Sequence, residues 1–261
     1  MTRLLVMGGG RMGEALVAGL LQAQWAPAAE ITVVEQLERR RKELAGRFPE
    51  LAVTAEAVPA DGAVLAVKPD DVERACVELT RAGAGRVLSI AAGVPLVKLE
   101  AWLGALPVVR AMPNTPALVG AGAAAISGGR AAGPADLAWA EEVLAAVGTV
   151  VRVPERLLDA VTGLSGSGPA YVLLVVEALT DAGVLVGLPR ETSAALVAQT
   201  LLGTARLLAE SAQGPEALRA AVTSPGGTTA AGLQVLEARA VRAAFMDAVA
   251  AATERSRQLG A

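Results

Sequence analysis

The sequence predicts an α/β domain with a mostly parallel sheet, followed by an all-helical domain. Three observations support this fold class. Short apolar runs alternate with helical patterns through the first part of the chain, as in proteins built on parallel sheets. A glycine-rich turn joins the first apolar run to the first helical pattern. After Pro154 the strand patterns stop, and only helical patterns follow.

The strands of the first part are short apolar runs, which is typical of parallel strands buried on both faces. They are predicted at 3–7, 31–35, 63–67, 86–90, 107–112, 122–127 and 149–153. Helical patterns are predicted between them at 12–23, 36–46, 70–81 and 134–147. The short connections favour right-handed crossovers within a single sheet.

The helical part carries six patterns that glycine and proline residues separate. They are predicted at 155–165, 168–187, 190–210, 214–222, 228–238 and 240–259. We place the boundary near Val153, which gives domains of residues 1–153 and 154–261. The pattern at 169–187 is apolar nearly all round, which is typical of a helix buried on every side. It predicts a subunit interface or, alternatively, a central helix covered by its own neighbours.

Composition excludes several kinds of chemistry. The 261 residues include no histidine and one cysteine, which excludes Ser-His-Asp catalysis and a His/Cys zinc site, and we expect no metal. The net charge of −3 and the 2% aromatic content make nucleic acid an unfavourable partner. Lysine occurs only at Lys42, Lys68 and Lys98, so no lysine can act in the second half of the chain.

The sequence predicts a cytoplasmic protein without a membrane partner. The longest uncharged run, 111–129, contains Pro113 and Pro116, unlike a spanning helix of about 20 apolar residues. The stretch "MTRLLVMGGG" is too short and too rich in glycine for a secretory signal. Cys76 alone cannot form an intramolecular disulfide.

The glycine-rich turn satisfies G-x-G-x-x-G with Gly8, Gly10 and Gly13. Between a strand and a helix, this pattern predicts a Rossmann-type domain in which the backbone approaches a pyrophosphate. Glu35 lies 22 residues after Gly13, where an acidic side chain accepts hydrogen bonds from an adenosine ribose. The arginines at 39–41 could meet a 2′-phosphate or simply form a solvated helix face.

Two further loops leave the carboxyl ends of predicted strands, where α/β sheets bind ligands. They are "AVKP" at 66–69 and "SIAAG" at 89–93. Lys68 is notable because lysine is rare in this chain, and the small residues at 91–93 leave room for a flat ring. Each loop could also be an ordinary strand end. In the helical part, "SPGGTT" at 224–229 is either a turn between helices or the mouth of a ligand site.

Together these segments resemble the pyrroline-5-carboxylate reductase family, which catalyses the last step of proline synthesis. The similarity covers nearly the whole chain. The segments that carry it are "MGGGRMGEA" (7–15), "AVKP" (66–69), "SIAAGV" (89–94), "VRAMPNTPALVGAG" (109–122), "DAVTGLSGSGPAY" (159–171), "DAGVLVGLPR" (181–190) and "VTSPGGTT" (222–229).

The resemblance implies that the first domain binds NADPH or NADH. Residues around the glycine turn would surround the pyrophosphate, and the 66–69 and 91–93 loops would line the nicotinamide half. Thr54 stands where many relatives have an asparagine that touches the adenosine. Asn114 could order the loop beside the nicotinamide or merely satisfy a turn. The implied cofactor residues are Met7, Gly8, Gly9, Gly10, Arg11, Met12, Gly13, Glu35, Thr54, Ala66, Val67, Lys68, Pro69, Ala91, Ala92, Gly93 and Asn114.

The implied substrate is 1-pyrroline-5-carboxylate, a cyclic imine with a carboxylate, and the product is L-proline. Backbone N–H groups of Gly226 and Gly227, just before a helix, would favour that carboxylate. The resemblance makes Thr229 the hydroxyl at the imine nitrogen and the predicted catalytic residue. It also brings Glu155 and Ser224 to the pocket, and the hydroxyl of Thr228 could address the nitrogen in place of Thr229. The alternative is a helix–helix turn capped by Ser224 or Thr228.

The resemblance also implies a homodimer formed by the helical domain, and family members often assemble five dimers into a decamer. The substrate would lie between the nicotinamide of one subunit and the helical domain of its partner. Two rival functions stay open at this point. A β-hydroxyacid dehydrogenase would need a lysine in the helical domain, yet no lysine follows Lys98. A dinucleotide-binding protein without turnover would not need an intact "SPGGTT".

Overall fold

The computed structural model describes residues 2–260, and its first part is an eight-stranded sheet. The strands are β1 (Thr2–Met7), β2 (Ile31–Val34), β3 (Ala52–Thr54), β4 (Ala60–Leu65), β5 (Val87–Ser89), β6 (Val108–Met112), β7 (Gly122–Gly128) and β8 (Gly148–Arg152). Their order is β3-β2-β1-β4-β5-β6-β7-β8. Neighbouring strands are parallel except β6 and β7, which are antiparallel. The predicted mostly parallel sheet is confirmed.

Helices connect the strands and make up the rest of the chain. Those of the first part are α1 (Arg11–Gln22), α2 (Glu38–Arg47), α3 (Val72–Ala82), α4 (Leu96–Leu103) and α5 (Pro134–Ala145). Those that follow are α6 (Leu158–Val161), α7 (Gly168–Leu185), α8 (Arg190–Glu210), α9 (Pro215–Ala221), α10 (Thr228–Ala238) and α11 (Val241–Gly260). Short 3₁₀ turns include Pro69–Asp71, Thr115–Val119 and Glu155–Leu157.

The sheet has an apolar layer on each face. Along β1, Leu4 and Val6 pack into one buried cluster, and Leu5 and Met7 pack into the other. Successive side chains of a strand point to opposite faces, so this alternation shows that β1 is covered on both sides. That burial explains why the strands appear in the sequence as continuous apolar runs.

Some elements differ from the sequence prediction. The strand predicted at 63–67 begins earlier, at Ala60, because its pairing with β1 continues back through Asp61 and Gly62. A Cβ at Gly62 would lie 2.5 Å from the ring of Trp139 on α5, so only a glycine leaves room for this ring. The edge strand β3 and the helix α4 were not predicted. The helix predicted at 155–165 is instead a 3₁₀ turn, α6 and a π-helical turn.

The chain forms two compact units. One unit contains the chain up to Ser167 together with the segment from Ala250, and the second is Gly168–Val249. This division falls after α6 because α6 contacts β6 and β7 of the sheet. The domain boundary near Val153, placed where the strand patterns give way to helical ones, stays a prediction.

The second unit exposes large apolar side chains. On α7 these include Val172, Leu173 and Leu174, and similar residues are exposed on α8 and α10. By length and composition alone, the stretch Glu155–Leu185 is apolar enough to cross a membrane, and only 6% of its most apolar window is buried. The sequence analysis identified this helix as apolar all round, and the alternative that its own neighbours cover it is wrong, because many of its apolar side chains are exposed in the single chain.

Candidate active site

The glycine turn between β1 and α1 is as tight as the motif requires. Gly8 has a φ of +109°, and its N–H donates to the Val34 carbonyl oxygen at 2.8 Å. A Cβ on Gly8 would lie 2.7 Å from the Ala66 oxygen, and a Cβ on Gly13 would lie 2.1 Å from the Gly8 oxygen. Gly10 immediately precedes α1, and no atom lies within 4 Å of the position that a Cβ on Gly10 would occupy. This turn therefore offers a helix N-terminus that a pyrophosphate can approach.

Glu35 lies directly after β2, beside the glycine turn. Its Oε2 accepts a hydrogen bond from the Gly9 N–H at 3.0 Å, and its Oε1 accepts one from the Leu37 N–H at 2.9 Å. The carboxylate therefore fixes the glycine turn as well as standing at the predicted ribose position. The sequence motif predicted the position but not this second role.

The three arginines at 39–41 have different environments. The Arg40 Nε donates to the Gly9 carbonyl oxygen at 2.8 Å, and hydrogen bonding to Glu14 raises the Arg40 pKa. Arg41 donates to the Glu35 carbonyl oxygen at 2.8 Å. The Arg39 side chain is 92% exposed and pairs only with Glu43. Arg40 and Arg41 thus donate hydrogen bonds to the backbone of the glycine turn and of the residue after β2, whereas the Arg39 side chain is largely in solvent. Contact of these arginines with a 2′-phosphate stays a prediction.

A cleft of about 810 Å³ brings the predicted cofactor residues of three strand ends together. Its lining is Met7, Gly8, Gly10, Val34, Glu35, Gln36, Leu37, Glu38, Arg39, Arg40, Ala66, Val67, Lys68, Asp71, Arg74, Ala75 and Glu78. The last four residues belong to α3 and the turn before it, and the sequence analysis missed them. Arg74 follows "AVKP" by one helical turn, which is the signal that could have indicated it.

The two loops predicted for the nicotinamide half leave neighbouring strands. The Ala66 N–H donates to the Met7 oxygen at 2.8 Å, and the Ile90 N–H donates to the Leu65 oxygen at 3.0 Å. Gly93 has a φ of +74°, a conformation that favours glycine. The carboxyl ends of β1, β4 and β5 therefore lie side by side, as a dinucleotide site requires.

Two predicted cofactor residues use their side chains within the protein. The Thr54 hydroxyl donates to the Glu56 oxygen at 2.8 Å, and Thr54 does not line the cleft. The Asn114 amide donates to the Ser165 oxygen at 3.0 Å and accepts from the Ala123 N–H at 2.8 Å. Asn114 thus links its loop to Ser165 and to the start of β7. A place for this loop beside the nicotinamide stays a prediction.

Glu155 is likewise held by protein atoms. Its Oε1 accepts hydrogen bonds from the Leu96 N–H at 2.6 Å and from Arg110 Nη1 at 2.8 Å. Arg110 was not predicted as functional, although an arginine within the apolar run "PVVRAM" is a signal of a buried partner.

The "SPGGTT" segment lies in the second unit and consists of the turn before α10 and the first two residues of that helix. The Gly227 N–H donates to the Ser224 oxygen at 3.0 Å, and Gly226 has a φ of +70°. Gly227 is the N-cap residue and no side chain caps the helix, so capping by Ser224 or Thr228 is not what the structure has. The first N–H groups of a helix have no partner within it. An anion can therefore bind at this uncapped end.

Cys76 is not a candidate nucleophile. It is buried, and desolvation raises the pKa of its thiol to about 12. The thiolate is the reactive form of cysteine, so this side chain is inert near neutral pH. The ionisable groups that line the cleft are therefore carboxylates, arginines and Lys68 rather than a thiol.

Two family models match the chain. Residues 155–259 match the model described as pyrroline-5-carboxylate reductase dimerisation. Residues 3–93 match the model described as NADP oxidoreductase, coenzyme F420-dependent. The first match begins at Glu155. The second covers the glycine turn and the two loops predicted for the nicotinamide half, 66–69 and 89–93.

Comparisons with whole proteins agree with these matches. A pyrroline-5-carboxylate reductase of Synechocystis is 46% identical over 99% of this chain and 98% of its own. The structure of a pyrroline-5-carboxylate reductase from Coxiella burnetii has a TM-score of 0.94 at 36% identity, covering 100% of this chain and 99% of that one. The structure of Plasmodium falciparum pyrroline carboxylate reductase with NADP bound has a TM-score of 0.84 at 32% identity, with coverage of 100% and 98%. This chain belongs to the pyrroline-5-carboxylate reductase family.

Proposed function

We propose that this protein reduces 1-pyrroline-5-carboxylate to L-proline with NADPH or NADH, as the last step of proline biosynthesis. The observation that carries the proposal is the glycine turn, where close backbone atoms leave no room for side chains at Gly8 and Gly13. The chain that contains this turn is 46% identical, over 99% of its length, to a pyrroline-5-carboxylate reductase. When bound, the dinucleotide supplies the hydride. The protein supplies binding, orientation and hydrogen bonds.

The cofactor is proposed to lie in the cleft at the carboxyl ends of β1, β2 and β4. The glycine turn, with Arg11 and Met12 at the start of α1, would hold the pyrophosphate. Glu35 would accept hydrogen bonds from the adenosine ribose, and the 66–69 and 91–93 loops would hold the nicotinamide half. The fit of small residues supports this, because any side chain at Gly8 or Gly13 would collide with backbone oxygens.

The substrate is proposed to bind at the N-terminus of α10. Its carboxylate would be held by backbone N–H groups around Gly227, where the helix dipole favours negative charge. Within residues 2–260 the structure gives the Thr229 hydroxyl no hydrogen-bond partner, which leaves it available. Thr229 would then orient the imine nitrogen, which carries its proton on entry or takes it from water through this hydroxyl.

The protein is proposed to act in the cytoplasm as a homodimer formed by residues 155–259, with five dimers forming a decamer. The exposed apolar side chains of α7 support the dimer, because a second copy would remove them from water. The substrate site would then be completed between one subunit's cofactor and the partner's α10.

The test is the rate of NADPH and NADH oxidation with 1-pyrroline-5-carboxylate. We expect oxidation that depends on this substrate and is lost in Gly13→Ala, whose new methyl would meet the Gly8 oxygen. Turnover of β-hydroxyacids instead would identify the rival dehydrogenase. Tight cofactor binding with no turnover of either substrate class would identify a non-catalytic protein.

A further inference from the structure

We infer that Glu155 and Arg110 are positioning residues that hold the nicotinamide loop, defined as residues 90–95 between β5 and α4. This inference rests on the proposed function, because it takes residues 91–93 to contact the nicotinamide. It assigns Glu155 a different role from the one that the family resemblance implied, which was an approach to the substrate.

Glu155 holds the end of the loop. The residue after the loop, Leu96, is the first of α4, and its N–H donates to Glu155 Oε1 at 2.6 Å. The N–H groups of a helix's first turn lack intrahelical partners, and the positive end of the helix dipole favours a carboxylate. Glu155 therefore provides an acceptor for the Leu96 N–H and a negative charge at the positive end of the α4 dipole.

Arg110 lies beside the beginning of the loop. It pairs in register with Ser89, the last residue of β5, so its strand lies beside the point where the loop departs. Its side chain is only 11% exposed, and its Nη1 donates to Glu155 Oε1 at 2.8 Å. A buried guanidinium without its partner is strongly unfavourable. The ion pair therefore connects the end of the loop, through Glu155, to the strand that lies beside its beginning.

The loop is anchored partly by Ala91 and Val94, which are buried in one of the two apolar clusters of the first unit. Ala92 and Gly93, between these two residues, have less support. The Ala91 N–H reaches the Ser89 Oγ at 3.4 Å, Ala92 is exposed, and Gly93 has a φ of +74°. The position of Ala92 and Gly93 thus depends on these buried neighbours and on where the loop begins and ends. Because an error of about 1 Å in a reacting group can cost up to a hundredfold in rate, a pair that fixes the end of the loop relative to β6 affects hydride transfer without touching the substrate.

The experiment compares two ligands in Glu155→Gln. NADPH contains the nicotinamide ring, whereas 2′-phospho-ADP-ribose has the same adenosine half and lacks that ring. We expect the Kd of NADPH to rise about tenfold and kcat to fall, while the Kd of 2′-phospho-ADP-ribose stays the same. The emission spectrum of bound NADPH should also shift, because its ring environment changes. Arg110→Lys, which keeps a cation beside Glu155, should show a smaller effect of the same kind.

The control is Glu141→Gln, which breaks an ion pair with Arg152 in the same unit but away from the loop. It should leave both Kd values unchanged. If Glu155→Gln does not fold, Arg110→Lys carries the same test. The inference is overturned if the two ligands weaken equally, if only the melting temperature falls, or if only the KM for 1-pyrroline-5-carboxylate changes. Since ligand binding needs no turnover, absence of reductase activity in the unmodified protein would refute the proposed function alone.

Discussion

The two compact units bury their apolar residues to different extents. In the first unit, strands such as β1, β4 and β5 are covered on both faces, and side chains such as Leu65 and Leu88 are fully buried. In Gly168–Val249, by contrast, the structure gives no apolar side chain as buried, and the buried residues are Thr180 and Ser193. The first unit thus has its own core, whereas the second has helices without one.

This difference teaches where each unit obtains its stability. The first unit is stabilised by burial of apolar surface within one chain, which is the largest favourable contribution to folding. Helices α7 and α8 do meet closely, since a Cβ at Gly183 would lie 2.0 Å from the Ser193 Oγ. Yet one closely packed pair does not remove the remaining apolar surface from water. The second unit is therefore expected to be stable only when a second copy covers it.

The largest effect is expected from Leu174→Glu on α7. Leu174 is 65% exposed in the single chain, and the proposed dimer would bury it. Loss of an apolar contact together with burial of a charge should weaken association by about 5 kcal/mol. Sedimentation velocity should then show monomers without activity. The matched control is Val151→Glu on β8, 52% exposed, which should leave the assembly intact; an intact assembly in both variants would contradict the comparison.

A cavity in the first unit should act differently. Leu88 on β5 is fully buried, so Leu88→Ala should destabilise the protein by about 3 kcal/mol. Because this core lies within one chain, the loss should be the same at low and high protein concentration. Chemical denaturation across a range of concentrations measures this. A loss that depends on concentration would mean that the first unit also needs its partner to fold.

Much of this contrast could be predicted from the sequence. The buried strands were found because parallel strands are continuous apolar runs, and the bounds of α7, α8, α9, α10 and α11 agree with prediction within about two residues. The short edge strand β3 was missed because three partly exposed residues carry no periodic signal. The reversed direction of β7 could not be predicted, since a strand's direction depends on its partner rather than on its own residues.

The candidate site was predictable where a motif requires a backbone conformation. The glycine turn and "SPGGTT" are of this kind, because Gly8 and Gly226 both have positive φ. The use of side chains was not predictable. Asn114 and Glu155 were identified as site residues, but their hydrogen bonds run to residues distant in sequence, Ser165 and Leu96. Such pairings arise only when the chain is folded.

A smaller effect than those of the two apolar substitutions is expected at the substrate site. Thr229→Ala removes one hydroxyl, and a lost hydrogen bond to a charged or polarised group costs about 1.5–3 kcal/mol. This corresponds to a roughly ten- to hundredfold lower kcat/KM, with cofactor affinity nearly unchanged. Steady-state kinetics and a cofactor titration measure both quantities. The matched control is Thr204→Ala, whose hydroxyl bonds the Thr200 oxygen of its own helix. Equal activity in the two variants would show that Thr229 has no role in turnover.

The smallest effect is expected for the preference between NADH and NADPH, for which the proposed residues all belong to the first unit. We expect both cofactors to work, with higher intrinsic affinity for NADH, because a 2′-phosphate would meet the Glu35 carboxylate. Glu35→Ser should shift the ratio of kcat/KM values toward NADPH by about fivefold, or about 1 kcal/mol. Both cofactors should also bind more weakly, since the Gly9 N–H loses its acceptor. The control is Glu30→Ser before β2, and an unchanged ratio in Glu35→Ser would place the choice elsewhere.

Sedimentation velocity of the unmodified protein at micromolar concentration, combined with the reductase assay on the same samples, tests the central claim most directly. The claim is that the first unit folds on its own core and the second is stable only when another copy covers its apolar helices. We expect a dimer or a larger assembly, no folded monomer, and activity only in the assembled fraction. A stable monomer that oxidises NADPH with 1-pyrroline-5-carboxylate would contradict the account.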